Sequence, residues 1–173
     1  MLREFILAGE KVALAEMVEE DQALFQRWLS ENPELRELID DLRIPTMEDQ
    51  RNWFKRLQKP DRRFFSLLAV LEGVLIGNAG FVEIDPEKKS AMLRITIGHP
   101  EFHGKGFGSE AVALLVRYAF EIAAWRTLRL TVLKTNTRAV RTYEKVGFRI
   151  QSEHLHNGKE MLTMELFHPA VHT

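Results

Sequence analysis

His103-Gly104-Lys105-Gly106-Phe107-Gly108-Ser109 is the stretch on which the reading of this chain turns. It lies between residues 91–97, which alternate as a strand does, and residues 109–124. The latter read as a long amphipathic helix with Val112, Leu115, Ala119 and Ile122 along one side. Three alternate glycines open backbone conformations closed to other residues and leave amide N–H groups uncovered. At a helix N-terminus such amides, together with the helix dipole, favour a phosphate or pyrophosphate. Two common nucleotide loops fail here. The G-x-G-x-x-G fingerprint needs a glycine where Ser109 stands, and a P-loop needs Ser or Thr after Gly-Lys, where Gly106 stands.

Downstream of this loop, residues 128–133 read as a strand with Leu128, Leu130 and Val132 on one face. Asn136 is suited to cap a helix carrying Ala139, Val140, Tyr143 and Val146, and Gly147 to end it. Residues 148–155 and 159–167 form a hairpin pattern around Asn157-Gly158, a type I′ turn signal. Upstream, residues 64–71 and 74–84 flank Glu72-Gly73 in a second hairpin, and residues 11–17 read as the first strand. Leu24, Phe25, Trp28 and Leu29 make a helical stripe. Asn32-Pro33 starts a helix that Leu35, Leu38, Ile39 and Leu42 carry toward Pro45. Thr46 and Asp49 then resemble a capping box ahead of Gln50, Trp53, Phe54 and Leu57. Helices inserted between strands give a mixed-sheet α/β (α+β) layer fold. With no repeat or linker, one domain over residues 1–173 is expected.

The composition narrows the function. At 173 residues and 45% hydrophobic the chain builds a core and is not disordered. Lys plus Arg number 24 against 25 for Asp plus Glu, which disfavours a nucleic-acid coat or an anionic-lipid binder and mildly disfavours a polycationic partner. The absence of cysteine excludes a thiolate nucleophile, a disulfide scaffold, an iron–sulfur cluster and a Cys-based zinc site. No apolar run approaches the length of a membrane helix, so a soluble, cytoplasmic protein is expected. His99 and His103 are separated by Pro100 and do not form an H-E-x-x-H helix, and no metal is expected.

Residues 103–108 resemble the Q/R-x-x-G-x-G/A acyl-CoA pyrophosphate loop of the GNAT superfamily of N-acetyltransferases. Asn136-Thr137-Arg138-Ala139 followed by Tyr143-Glu144-Lys145-Val146-Gly147-Phe148 is similar to that superfamily's second block, N-x-x-A…Y-x-K-x-G-F. The resemblance covers residues 91–167. A weaker likeness over residues 28–34 points to the branch with the ribosomal-protein alanine and spermidine acetyltransferases. The resemblance implies a strongly twisted mixed sheet whose fourth and fifth strands, residues 91–97 and 128–133, splay apart to admit pantetheine. It assigns the amides of Gly104, Lys105, Gly106, Phe107, Gly108 and Ser109 to the pyrophosphate and the backbone of Ile97, Gly98 and His99 to pantetheine. Asn136 would bond the cosubstrate acetyl-CoA, and Tyr143 would lie by its sulfur. His103 replaces the usual Gln or Arg and brings less charge, for which Lys105 compensates. One of Arg138, Arg141, Lys145 and Arg149 is a candidate contact for the 3′-phosphate. A homodimer is common in this branch.

Acetyl transfer to an amine needs a neutral amine, a stabilised oxyanion and a protonated leaving thiolate. A main-chain N–H near Ile97 or Gly98 suits the oxyanion. Tyr143, with a reference pKa of about 10, suits the acid role toward a thiolate of pKa about 8.5. Without the motif, Tyr143 reads as core beside Ala139 and Val140. The glutamate that related enzymes place early in the fourth strand falls on Met92, so Glu83 in the preceding strand is the candidate base; its alternative is an exposed strand residue. Deprotonating a lysine-like amine at neutral pH costs about 4 to 5 kcal/mol, against roughly 1 to 1.5 for an α-amine. The expected reaction is therefore direct transfer to a primary amine of low pKa, on a protein N-terminus, an amino sugar or a small amine. A non-catalytic acyl-CoA-binding module on the same fold and an unrelated nucleotide binder are the alternatives. Trp28, Trp53 and Phe54 lie at helical spacing and read as core, while the resemblance implies that some of them line the acceptor pocket.

Overall fold

The computed structural model describes residues 3–172. One eight-stranded sheet runs in the order β1-β2-β3-β4-β5-β6-β8-β7. Its strands are β1 (Phe5–Ala8), β2 (Val12–Glu16), β3 (Arg63–Ala69), β4 (Leu75–Asp85), β5 (Ser90–Ile97), β6 (Thr127–Leu133), β7 (Arg149–His156) and β8 (Lys159–Phe167). All neighbouring pairs are antiparallel except β5 and β6, which are parallel. A parallel pair needs a crossover, and α4 (Phe107–Arg117), extended by a π-helical stretch over Tyr118–Ile122, provides it. Helices α1 (Asp21–Glu31), α2 (Pro33–Leu38) and α3 (Met47–Arg56) lie between β2 and β3, and α5 (Thr137–Val146) between β6 and β7. The mixed α/β architecture expected from the sequence is present. The sheet gains one strand ahead of residues 11–17, so the expected fourth and fifth strands are β5 and β6.

The helices divide between the two faces of the sheet. Successive side chains on a strand point to opposite faces, and on β3 Phe65 meets Tyr118 whereas Phe64 meets Trp53. The Phe65 face carries the main core, in which Ala111, Val112 and Leu115 of α4 pack with Leu67, Ile76, Phe81, Leu93, Leu128 and Leu130. Each such large side chain contributes about 1.5–3 kcal/mol on burial. The Phe64 face is roofed by α1 to α3, where Phe25, Trp28 and Leu35 form a smaller cluster joined by Trp53. Asp21 anchors that roof: its buried carboxylate accepts from the guanidinium of Arg3, from Ser66 Oγ of β3 at 2.5 Å and from the Val18 amide at 3.2 Å.

Local signals place most element ends. The side chain of Asn32 accepts from the Leu35 amide at 3.0 Å ahead of Pro33, and Thr46 and Asp49 complete a reciprocal capping box. Gly147 ends α5 at φ 119°, and Asn157 and Gly158 both take positive φ in the β7–β8 turn. The helix begun at Pro33 stops at Leu38, short of the expected continuation through Leu42. Asp40 takes a left-handed φ of 58°. Its carboxylate accepts from Lys159 Nζ at 3.1 Å and Asn157 Nδ2 at 3.3 Å, and it faces His156 Nε2 at 3.3 Å. These contacts draw the chain toward the β7–β8 hairpin, and Leu42 is left exposed.

Candidate active site

β5 and β6 pair at Ser90–Thr127, Ala91–Leu128 and Met92–Arg129 and then part. Each is held by its outer neighbour: β5 stays in register with β4 up to Gly77–Ile97, and β6 with β8 up to Leu133–Met161. The amides of Gly98 and His99 both donate to the Ile76 carbonyl, at 2.9 and 3.1 Å. By antiparallel alternation, the N–H and C=O groups of Leu93, Ile95 and Ile97 therefore turn away from β4 into the gap. The sequence reading gives the backbone of Ile97, Gly98 and His99 to pantetheine, and the structure distinguishes among their amides. The Gly98 and His99 amides are occupied, and Ile97 alone of the three presents its amide to the opening.

The glycine loop closes one end of that gap. Gly106, at φ 86°, is the N-cap of α4 and makes no side-chain cap. The first intrahelical bond runs from the Glu110 amide to the Gly106 carbonyl at 3.1 Å. The amides of Phe107, Gly108 and Ser109 consequently have no partner within the helix. Phe107 turns its ring into the core against Phe102, centroid to centroid 4.9 Å. A Cβ built on Gly108 meets no atom within 4 Å, and its backbone is ordinary helix. Nothing in the described protein requires glycine there, and its main chain is left bare.

Three side chains brace the loop. His103 Nε2 lies 2.7 Å from the Ile97 carbonyl oxygen, so the imidazole ties the loop to β5 and that nitrogen is not directed at a phosphate. Lys105 contributes its carbonyl, which accepts from Lys11 Nζ at 2.8 Å. The carboxylate of Glu110 accepts from the amides of Glu10, Lys11 and Val12 at 3.2, 2.8 and 2.6 Å, clamping α4 to the β1–β2 turn. Lys11 and Glu110 were not legible as loop residues, since nothing in the local sequence links positions nearly 100 apart.

Loop and gap open into one cavity of about 1100 Å³ that reaches beneath α1 to α3. That exceeds the usual volume for one drug-sized ligand and suits two. Gly104, Gly106, Gly108, Ser109, Ile97, Asn136 and Tyr143 line it. So do Arg138 and Lys145 of the basic cluster, while Arg149 instead donates to the carbonyls of Glu144 and Phe148. Asn136 Oδ1 caps α5 by accepting from the Ala139 amide at 3.3 Å, which leaves its side-chain NH₂ available. Beneath α1 to α3 the cavity is lined by Trp28 and Trp53, while Phe54 is not among the lining residues.

Tyr143 packs its ring against Phe148 at 6.0 Å. Burial pushes its phenol up to about 12, opposed in part by the charge of Arg94. It is therefore a neutral hydrogen-bond donor throughout the working pH range and a weaker acid than the sequence suggested. Glu83 also lines the cavity, at a bulge in β4 where its φ is 50°. Its carboxylate lies 3.7 Å from the Arg129 guanidinium, at the row where β5 and β6 are still joined. Both side chains are exposed, so the pair is weak.

The model of the acetyltransferase (GNAT) domain matches residues 11–149. The chain belongs to the GNAT acetyltransferase family. It is 27% identical over 150 residues to spermidine N(1)-acetyltransferase of Escherichia coli K12, covering 87% of this chain and 74% of that one. A spermidine N(1)-acetyltransferase of Vibrio cholerae is 36% identical over 81 residues, 47% of this chain and 46% of that one. The crystal structure of the Vibrio cholerae spermidine N-acetyltransferase in complex with CoA and spermine superposes with a TM-score of 0.82 at 22% identity, covering 92% of this chain and 96% of that one. A GNAT acetyltransferase from Bacillus anthracis gives 0.80 at 20% identity, over 95% and 98%. These structural likenesses fix the GNAT fold. The family uses acetyl-CoA.

Proposed function

We propose that this GNAT protein transfers acetyl from acetyl-CoA directly to a primary amine on a small acceptor held beneath α1 to α3. The continuity of the cavity carries the reading: Gly106, Gly108 and Ser109 of the loop, Ile95 and Ile97 of β5, Tyr143, and Trp28 and Trp53 of the roof all border one space. In this reading Phe107, Gly108 and Ser109 bind the pyrophosphate through their amides, Lys11 adds positive charge beside the loop, and Arg138 or Lys145 meets the 3′-phosphate. Leu93, Ile95 and Ile97 offer main-chain groups to pantetheine. The Ile97 N–H, at the mouth of the gap, stabilises the oxyanion.

Tyr143 donates a hydrogen bond to the departing thiolate. Complete proton transfer from a phenol near 12 to a thiolate of about 8.5 is uphill by roughly 5 kcal/mol. The thiolate's proton thus comes from the attacking amine, which becomes strongly acidic once it bonds the carbonyl carbon. Glu83, tethered near Arg129, is left to accept a proton through water, and the amine that suits this site is one of low pKa. No covalent enzyme intermediate is needed, and no cysteine is present to form one.

Labelled acetyl-CoA incubated with an amine panel that includes spermidine, the amine in the relatives' names, tests the reading. Acetylated amine is expected, with loss of rate in Tyr143→Phe. CoA binding without any turnover, unaffected by that substitution, would make the protein an acyl-CoA-binding module instead.

A further inference from the structure

The acceptor half of the cavity has an unusual balance of charge. Four carboxylates border it, and each is already engaged. Asp40 is held by Lys159 and Asn157 beside His156, Asp41 by Arg43, Asp49 by the start of α3, and Glu83 by Arg129. The cations are left over. Among the described residues, Arg36, Arg56 and Arg94 lie within ion-pair distance of no carboxylate, and Arg62 reaches only Asp61, at 3.7 Å. Arg36 donates through one terminal nitrogen to the carbonyls of Leu29 and Ser30, while its Nε is buried without a partner. The Nε of Arg62 is likewise buried without a hydrogen bond.

Position assigns these groups to the acceptor rather than to CoA. Arg36 and Arg56 lie on α2 and α3, the roof over the Phe64 face, whereas the glycine loop opens α4, which covers the opposite face. Arg94 pairs across β4 with Gly80, itself opposite Phe64, and so belongs to the same face. A polyamine would find these carboxylates already held by cations or, for Asp49, by the cap of α3, while its own charges are repelled by guanidiniums that have no carboxylate partner. A guanidinium fork matches a carboxylate or a phosphate; Arg36 is half-buried, whereas Arg56 and Arg94 are exposed at the edge of the cavity.

We infer that the acceptor is an amine that also bears an anionic group, a phosphate or a carboxylate, read by Arg36, Arg56 and Arg94. This deepens the transferase reading and rests on it. Matched probes separate the sources of the anion: glucosamine 6-phosphate against glucosamine, and an Ala-Asp peptide amide against Ala-Asn, with spermidine as the cationic control. For at least one pair, the anionic member is expected to show a kcat/KM at least tenfold higher, with a KM that rises with salt. Arg36→Gln and Arg56→Gln are each expected to shrink that ratio about fivefold while leaving CoA affinity unchanged. Because Arg36 also braces α1, Arg56→Gln, at an exposed position, keeps the test valid if the first variant does not fold. Ratios near one for both pairs, or spermidine as the best acceptor, overturn the inference and leave the transferase reading intact. If nothing is acetylated, calorimetric titration of both pairs into the CoA-loaded protein decides the matter. Preferential binding of an anionic member, lost in Arg56→Gln, upholds the inference, and equal binding within both pairs overturns it.

Discussion

His103 Nε2 stands 2.7 Å from the main-chain carbonyl oxygen of Ile97, fastening the first residue of the glycine loop to the last residue of β5. The start of α4 and the open edge of β5, which the proposed function gives to the diphosphate and the pantetheine arm, are thus set in a fixed relation. A hydrogen bond of this kind contributes about 1 kcal/mol. His103→Ala is expected to raise the Kd for CoA roughly five- to tenfold by titration calorimetry. His103→Gln, which can still donate, should recover most of the loss. An unchanged Kd in the alanine variant would show that the loop keeps its place without this tie.

Gly108 separates stability from function. Alanine there has open space and a better helix propensity, worth about 0.5–1 kcal/mol. Gly108→Ala is expected to melt at or above the wild-type temperature and yet bind CoA at least tenfold more weakly. Thermal shift with and without CoA reads both effects. A variant of undiminished affinity would mean that no ligand approaches the main chain at this residue.

Tyr143 makes a prediction of opposite sign in pH. Its folded pKa, near 12, lies above the unfolded value of about 10 because burial disfavours the phenolate. The folded state therefore holds its proton longer, and stability present below about pH 10 is lost as the pH rises from 10 toward 12. Urea unfolding between pH 8 and 11 should show a decline above about pH 10 that is smaller in Tyr143→Phe. The same substitution should lower kcat about ten- to a hundredfold, the range for a lost hydrogen bond to a developing charge, with little change in KM. A tyrosine-dependent fall in kcat near pH 10 would contradict the burial.

Trp28 and Gly98 are in direct contact. A Cβ built on Gly98 falls 2.2 Å from Trp28 Cε3, and Trp28 is both buried and part of the cavity lining. Gly98→Ala is expected to cost about 1–3 kcal/mol by overpacking. In the proposed arrangement the displaced ring borders the acceptor rather than the cosubstrate, so the acceptor KM should rise more than the KM for acetyl-CoA. Steady-state kinetics with each substrate varied in turn distinguishes this from a general loss of fold.

Wherever neighbours in sequence are also neighbours in space, the structure was readable in advance. The caps at Asn32, Thr46 and Asn136, the αL ending at Gly147 and the Asn157-Gly158 turn are all local. So is the glycine loop, since a helix start and its bare amides follow one another. What remained hidden depends on register and on distant partners. Whether the amides of Gly98 and His99 are free is decided by Ile76 on the adjoining strand. That α2 stops at Leu38 is decided by the hairpin residues gathered around Asp40. Glu110 and Lys11 join the loop only because β2 lies along α4, and the excess of cations under the roof emerges only once each carboxylate has found its partner.

The most direct test is a crystal structure with CoA bound. The diphosphate is expected on the amides of Phe107, Gly108 and Ser109, the pantetheine along the open edge of β5 beside Ile95 and Ile97, and the sulfur within hydrogen-bonding reach of the Tyr143 hydroxyl. CoA lying elsewhere on the surface, with the space between β5 and β6 filled by protein side chains, would contradict the site and every role assigned within it.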